Sequence, residues 1–149
     1  MTLKQKIYGQ YLLIIDDRIA LLQKNLADLK ESGANETKST AGDKHETALA
    51  MLQIEQANTR AQLQEATSQK NALDKINPSV SAKQVVNGSL IKTNKGYLFM
   101  SIALGKIEVD GITVIALSPQ SPLGQKLMGL KINDSTALNN KDYVIERIE

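Results

Sequence analysis

The pattern of hydrophobic and polar positions divides the chain at residue 77. Over the first stretch Tyr11, Ile15, Ile19, Leu22, Leu26 and Leu29 recur at spacings of three and four. Those intervals hold the apolar side chains on one stripe of a helix. The stripe ends at Ser32-Gly33, a C-terminal stop signal. A second set begins near Glu46, where Leu49, Leu52, Gln56, Thr59, Leu63, Ala66, Lys70 and Leu73 alternate three and four apart. That is heptad spacing. Several of these positions are polar, so the second helix is amphipathic without being a strong zipper by itself. Asn77-Pro78 closes it, because the residue before proline is pushed out of helical geometry. Each predicted helix has on the order of 30 residues and a length of roughly 45 Å.

Between the two patterns lies a polar, glycine-bounded stretch from Gly33 to Gly42. A connection of that length lets the helices fold back antiparallel. Residues 1–77 are therefore expected to form a coiled-coil hairpin with its tip near 34–46. The alternative is two helices of a compact bundle, but no third long helix follows to complete one.

After residue 77 the signal changes. All three prolines and most glycines lie there. Residues 78–87 read as a linker, and strand patterns begin at Gly88. Residues 88–93 and 96–103 are joined by Asn94-Lys95, a hairpin-like connection, and 106–109 and 112–117 flank Asp110-Gly111, a two-residue turn signal. Residues 121–129 read as a short helix with proline at its start and glycine at its end. Residues 142–148 are a final alternating strand. The expected fold class is α+β: the hairpin, then a four- or five-stranded, mainly antiparallel β domain over 88–149 with one short helix.

Composition narrows the function classes. Hydrophobic residues make up 42% of the 149 and charged residues 23%, so the chain folds and does not stay disordered. Aromatics are only 3%, which suits a chain that is partly coiled coil packed on Leu, Ile and Ala. A net charge of +2 is too small to argue for wholesale nucleic-acid binding. The absence of cysteine excludes disulfides and thiolate metal sites. The first residues lack the apolar core and cleavage site of a signal peptide, and no run of about 18 apolar residues exists to span a membrane. A cytoplasmic monomer is expected.

The candidate chemistry is the cluster Gly42-Asp43-Lys44-His45-Glu46, where the connection enters the second helix. One reading is structural: Asp43 as N-cap and Glu46 as its capping-box partner. The other is functional. Two carboxylates three residues apart at a helix start supply two hard oxygen ligands for Mg2+, which keeps its other positions for water and phosphate. One such pair binds weakly, as suits a protein that completes another enzyme's metal site and helps activate water beside a phosphodiester. His45 is the only histidine, and a lone histidine is usually solvent or structure. Lys38 and Lys44 can approach a phosphate backbone, although solvated loop charge is the simpler account of each. No phosphate-binding glycine loop, Ser/His/Asp arrangement or Cys/His cluster is present. The chain does not read as a self-contained enzyme.

Two segments resemble the Gre family of bacterial transcript-cleavage factors. Ser118-Pro119-Gln120-Ser121-Pro122-Leu123-Gly124-Gln125-Lys126-Leu127-Met128-Gly129-Leu130-Lys131-Ile132-Asn133-Asp134 resembles the family's S-P-L-G/A-x-x-L-x-G-x-x-x-G-D stretch, with Asn133 where glycine is usual. Gly42-Asp43-Lys44-His45-Glu46 resembles the tip G-D-L-x-E-N-A-E-Y. Lys44 replaces its leucine, and Thr47-Ala48-Leu49-Ala50 replaces the run after the glutamate. The resemblance spans the chain in order and implies an FKBP-like C-terminal domain. It implies RNA polymerase as partner, with the hairpin in the secondary channel and Asp43 and Glu46 sharing Mg2+ with the polymerase at the 3′ end of a backtracked nascent RNA. Lys38, Lys44 and His45 would be tip contacts, and Ser121, Pro122, Leu123 and Gly124 would be docking residues. The implied role is an accessory elongation factor that stimulates cleavage. The alternatives are a non-cleaving channel-binding regulator and, from the FKBP-like fold alone, a prolyl isomerase or chaperone. An isomerase pocket is usually lined by aromatics, and residues 78–149 hold only Tyr97, Phe99 and Tyr143.

Overall fold

A computed structural model describes the backbone of residues 1–36 and 42–149, and the side chains of residues 1–34 and 46–149. The elements run α1 (Leu3–Glu36), α2 (Gly42–Asp74), β1 (Leu90–Thr93), β2 (Gly96–Met100), β3 (Gly105–Val109), β4 (Ile112–Leu117), α3 (Pro122–Leu127), β5 (Ser135–Leu138) and β6 (Lys141–Ile148). They form two compact units: Ile14–Lys70, and Met1–Leu13 together with Asn71–Glu149. The second helix ends at Asp74 and the first strand begins at Leu90, while the units divide within the helices themselves.

In the unit Ile14–Lys70 the two helices pack along the predicted stripes. On α1, Ile15 and Leu22 are buried and Ile19, Leu26 and Leu29 half-buried. On α2, Leu49, Leu52, Gln56, Thr59, Leu63 and Lys70 are half-buried and Ala66 is buried. The polar seam positions are satisfied across the interface. Gln56 Nε2 donates to the Leu29 carbonyl at 3.2 Å, and Lys70 forms an ion pair with Asp16. Asp16 meeting Lys70 while Leu29 meets Gln56 is the register of antiparallel helices.

Helix α1 does not stop at Gly33, as the sequence suggested, but continues to Glu36. Gly33 extends the same three-and-four stripe. A Cβ placed on it would come within 3.5 Å of Gln56 Nε2, so the glycine belongs to the interhelical seam. Packing there outweighs the roughly 1 kcal/mol that glycine costs a helix interior. Helix α2 begins at Gly42, ahead of the expected start near Glu46, and ends at Asp74, ahead of Asn77.

The second unit is built on a six-stranded sheet in the order β3-β4-β2-β1-β6-β5. Every neighbouring pair is antiparallel except β2 and β4, which run parallel with Tyr97 beside Val114 and Met100 beside Leu117. The β3–β4 hairpin lies outside β2, so its second strand returns along β2 in the same direction. Asp110 and Gly111, both at positive φ (52° and 77°), form the predicted tight turn between β3 and β4. The strand missing from the sequence reading is β5. Its four residues, Ser-Thr-Ala-Leu, are half-buried or exposed and too short to show a period.

Alternation along the strands gives the sheet two apolar faces. Ile91, Leu98, Met100, Leu117 and Ile145 point to one side, where Leu127 of α3 and Val85 complete a buried cluster, with Leu123, Leu130 and Tyr143 at its margin. Phe99 points to the other side and stacks on Tyr11 of α1. Tyr11 is fully buried, and its hydroxyl donates to the carbonyls of Gly105 (2.8 Å) and Val114 (3.2 Å). Lys4 is buried nearby in sequence, its Nζ donating to the Val80 carbonyl at 2.6 Å, and Lys6 pairs with Asp110 at 2.8 Å. Burial holds the Lys4 pKa below the ordinary lysine range, against the opposing pull of Glu149. These contacts explain why the first thirteen residues belong to the β unit.

Candidate functional site

Two regions carry the residues singled out from the sequence. At the start of α2, Asp43 and Glu46 lie three apart on a helical backbone, and Glu46 is exposed. Because the helix begins at Gly42, Asp43 falls within its first turn, where a carboxylate is favoured by the helix dipole. Lys38 and the side chains of Asp43, Lys44 and His45 lie outside the described residues. Among the described residues no group of three His, Cys, Asp or Glu side chains is placed to hold a metal. The donor set fits magnesium in kind, since both residues offer hard carboxylate oxygens. In number it fits an ion whose remaining ligands come from elsewhere.

The second region is in the β unit, where the segment Ser118–Gly124 folds on itself. Ser121 is the N-cap of α3: its Oγ accepts from Gly124 N at 3.0 Å and donates to the Ser118 carbonyl at 2.6 Å. Pro122 occupies the first turn, where its missing N–H costs nothing. Gly124 is buried, and a Cβ there would collide with the Ser118 carbonyl oxygen. The Ser-Pro-Leu-Gly run therefore has an internal structural logic: serine caps, proline starts the helix, and glycine lets the cap close.

That capped turn forms one wall of a cleft of about 550 Å³. Its floor is Leu98, Ile115 and Leu117 on the α3-facing side of the sheet, and Ser121, Pro122 and Leu123 line it from the helix. Leu138, Asn139, Lys141 and Tyr143 line it from the β5–β6 hairpin, and Lys95 from the β1–β2 turn. Thus three of the four predicted docking residues share one cleft, while Gly124 is buried and acts through the shape of the turn.

The hairpin wall was not anticipated from the sequence. Its signal is Asn139-Asn140, both at positive φ (52° and 65°). Asparagine tolerates that region better than most residues, and two such residues in succession make a tight hairpin turn. The Asn94 side chain ties the β1–β2 turn to β6, accepting from Val144 N at 2.7 Å and donating to the Asp142 carbonyl at 3.1 Å. Lys95 and Lys141 consequently flank the same end of the sheet. Of the three aromatics an isomerase pocket would draw on, Tyr143 alone lines the cleft, and Phe99 is buried on the opposite face against Tyr11.

Asn133, the departure from the glycine of the resembled motif, has φ 75°. Its backbone N–H donates to the Ile145 carbonyl at 2.8 Å. The position needs a left-handed residue, which asparagine supplies in place of glycine.

No family model and no curated protein matches the chain. Among solved structures it is similar to that of the transcription factor Gfh1, with 17% identity over 96% of this chain and 91% of that chain, at a TM-score of 0.32. No described helix is long and apolar enough to cross a membrane.

Proposed function

We propose that this chain is a Gre-type transcription factor that binds RNA polymerase through its secondary channel and promotes cleavage of backtracked nascent RNA. The observation that carries the reading is the antiparallel register of α1 and α2, fixed by Asp16 with Lys70 and Leu29 with Gln56. That register puts the end of α1 and the start of α2, with Asp43 and Glu46, at the same end of the helix pair. It is the arrangement the resemblance of the Gly42–Glu46 segment calls for.

In this reading Asp43 and Glu46 act as ligands and hydrogen-bond acceptors. Their carboxylates hold and orient a water and share a metal with the polymerase, and neither is consumed. Magnesium bound there supplies Lewis-acid activation of the water and neutralises charge on the phosphodiester. The catalytic centre belongs to the polymerase, and this chain is an accessory to it. Ser121, Pro122 and Leu123 supply a docking surface on the β unit, held in shape by Gly124.

A stalled, backtracked elongation complex incubated with magnesium and this protein tests the reading. Short 3′ fragments should be released, and Asp43→Asn or Glu46→Gln should abolish release while leaving polymerase binding intact. Undiminished binding with no cleavage at saturating wild-type protein would establish a non-cleaving channel regulator instead, an outcome that Lys44 and Thr47–Ala50 in place of the usual tip residues makes worth separating. Loss of binding together with cleavage would reduce both acids to helix-start residues.

A further inference from the structure

We propose that the cleft between α3 and the β5–β6 hairpin receives an apolar segment of a partner protein flanked by carboxylates, which meet Lys95 and Lys141. The floor is apolar and only partly covered: Ile115 remains 44% exposed in the middle of a sheet whose other central residues on that face are buried. Two lysines line the cleft and no acidic residue does. The Asn94 clamp between Asp142 and Val144 fixes the turn carrying Lys95 beside the strand carrying Lys141, so both cations stand at one end. Strand register places Lys106 directly opposite Ile115, adding a third cation along the same face. The nearest acid on that face is Glu108, one pleat further along β3 opposite Thr113. Among the described residues none of the three lysines forms an ion pair, whereas Lys6, Lys70 and Arg147 do.

An apolar floor with cations at one end selects for an apolar side chain beside a carboxylate. It does not suit nucleic acid, which would need a stack of aromatic faces along a continuous basic track; Tyr143 is the cleft's single aromatic. The inference rests on the docking role given to Ser121, Pro122 and Leu123 and adds the chemistry that the docked surface must present.

The test is a fluorescence-anisotropy titration of the whole chain with two labelled peptides, Ser-Asp-Glu-Leu-Leu-Asp-Ser and the same sequence with lysine at its three acidic positions. The acidic peptide should bind more tightly, and added salt should weaken it. The double variant Lys95→Glu/Lys141→Glu should weaken the acidic peptide about fivefold to tenfold and favour the basic one, the scale expected of two exposed pairs. Ile115→Ser should weaken both peptides. These substitutions are at exposed positions, and circular dichroism melting verifies that each variant folds. Equal binding of the two peptides, indifference to the charge reversal, or displacement of the acidic peptide by a single-stranded oligouridylate as the tighter ligand would overturn the proposal. No polymerase is present in the titration, so its failure is separate from failure of the cleavage assay.

Discussion

Tyr11 lies stacked on Phe99, with ring centroids 6.0 Å apart and planes 20° from parallel. The pair joins the first turns of α1 to the centre of β2, on the sheet face away from α3. Both side chains are fully buried, and the Tyr11 hydroxyl donates to the carbonyls of Gly105 and Val114. Removing that hydroxyl in Tyr11→Phe keeps the stacking and removes the hydrogen bonding it supplies to Gly105 and Val114. The expected loss is about 1–2 kcal/mol, read from the midpoint of urea unfolding with an unchanged slope. No loss would mean that the hydroxyl contributes nothing net.

The same residue predicts a pH dependence. Burial pushes the Tyr11 phenol up to about 12 from an ordinary 10.0. In the unfolded chain it ionises near 10, so between these values the folded state binds more protons than the unfolded state. Stability is therefore fully present below pH 10 and falls as pH rises from 10 towards 12, by roughly 2–3 kcal/mol in all. Unfolding at pH 9, 10 and 11 should show a steeper decline for the wild type than for Tyr11→Phe. Parallel declines would show that other groups, such as the Tyr8 phenol raised by burial and by Asp74, dominate the titration.

Gly124 is the position where the cap and the helix compete for space. Gly124→Ala forces a methyl group against the Ser118 carbonyl oxygen and towards Ser121 Oγ. The expected cost is about 1–3 kcal/mol. Ser121→Ala removes the cap at a cost of about 1 kcal/mol. The two changes act on one turn, so the double variant should cost less than their sum. Additive unfolding energies would show that Gly124 and Ser121 act independently.

Much of this fold is legible in the sequence. The seam residues from Ile15 to Lys70 are the less exposed positions of both helices, because a regular period is a direct image of one buried face. Asp110-Gly111 announced its turn because a two-residue hairpin demands positive φ. What escaped was set by non-local packing. Gly33 reads as a stop until Gln56 is seen across the seam, and β5 has no period of its own because it pairs only with β6. The cleft was legible on one wall, through Ser121–Gly124. Its second wall depends on which turns the sheet order brings together, which Asn94 and Asn139-Asn140 hint at only in retrospect.

Asn133 offers a test of the turn chemistry. At φ 75°, Asn133→Gly should change stability by less than about 0.5 kcal/mol. Asn133→Val, with a β-branched side chain at positive φ, should cost on the order of 1–3 kcal/mol. Thermal unfolding of the two variants measures the difference. A tolerated valine would mean that the turn can relax away from the left-handed region.

The hairpin seam carries the last prediction. Gln56 is half-buried and spends its amide on the Leu29 carbonyl, a group inside α1 that already accepts the regular helical bond. Losing the Gln56 bond therefore leaves no orphaned acceptor, and a leucine there would place apolar surface on the stripe shared by Leu52 and Leu63. Gln56→Leu should stabilise the Ile14–Lys70 unit by about 1 kcal/mol. Amide hydrogen exchange across α1 and α2 within that unit should slow about fivefold, the rate equivalent of that energy. The exchange of β1, β2 and β4, which belong to the other unit, should stay unchanged. Faster exchange in the helices would show that the leucine does not fit and that the Gln56 amide is needed to set the spacing of the pair beside Gly33.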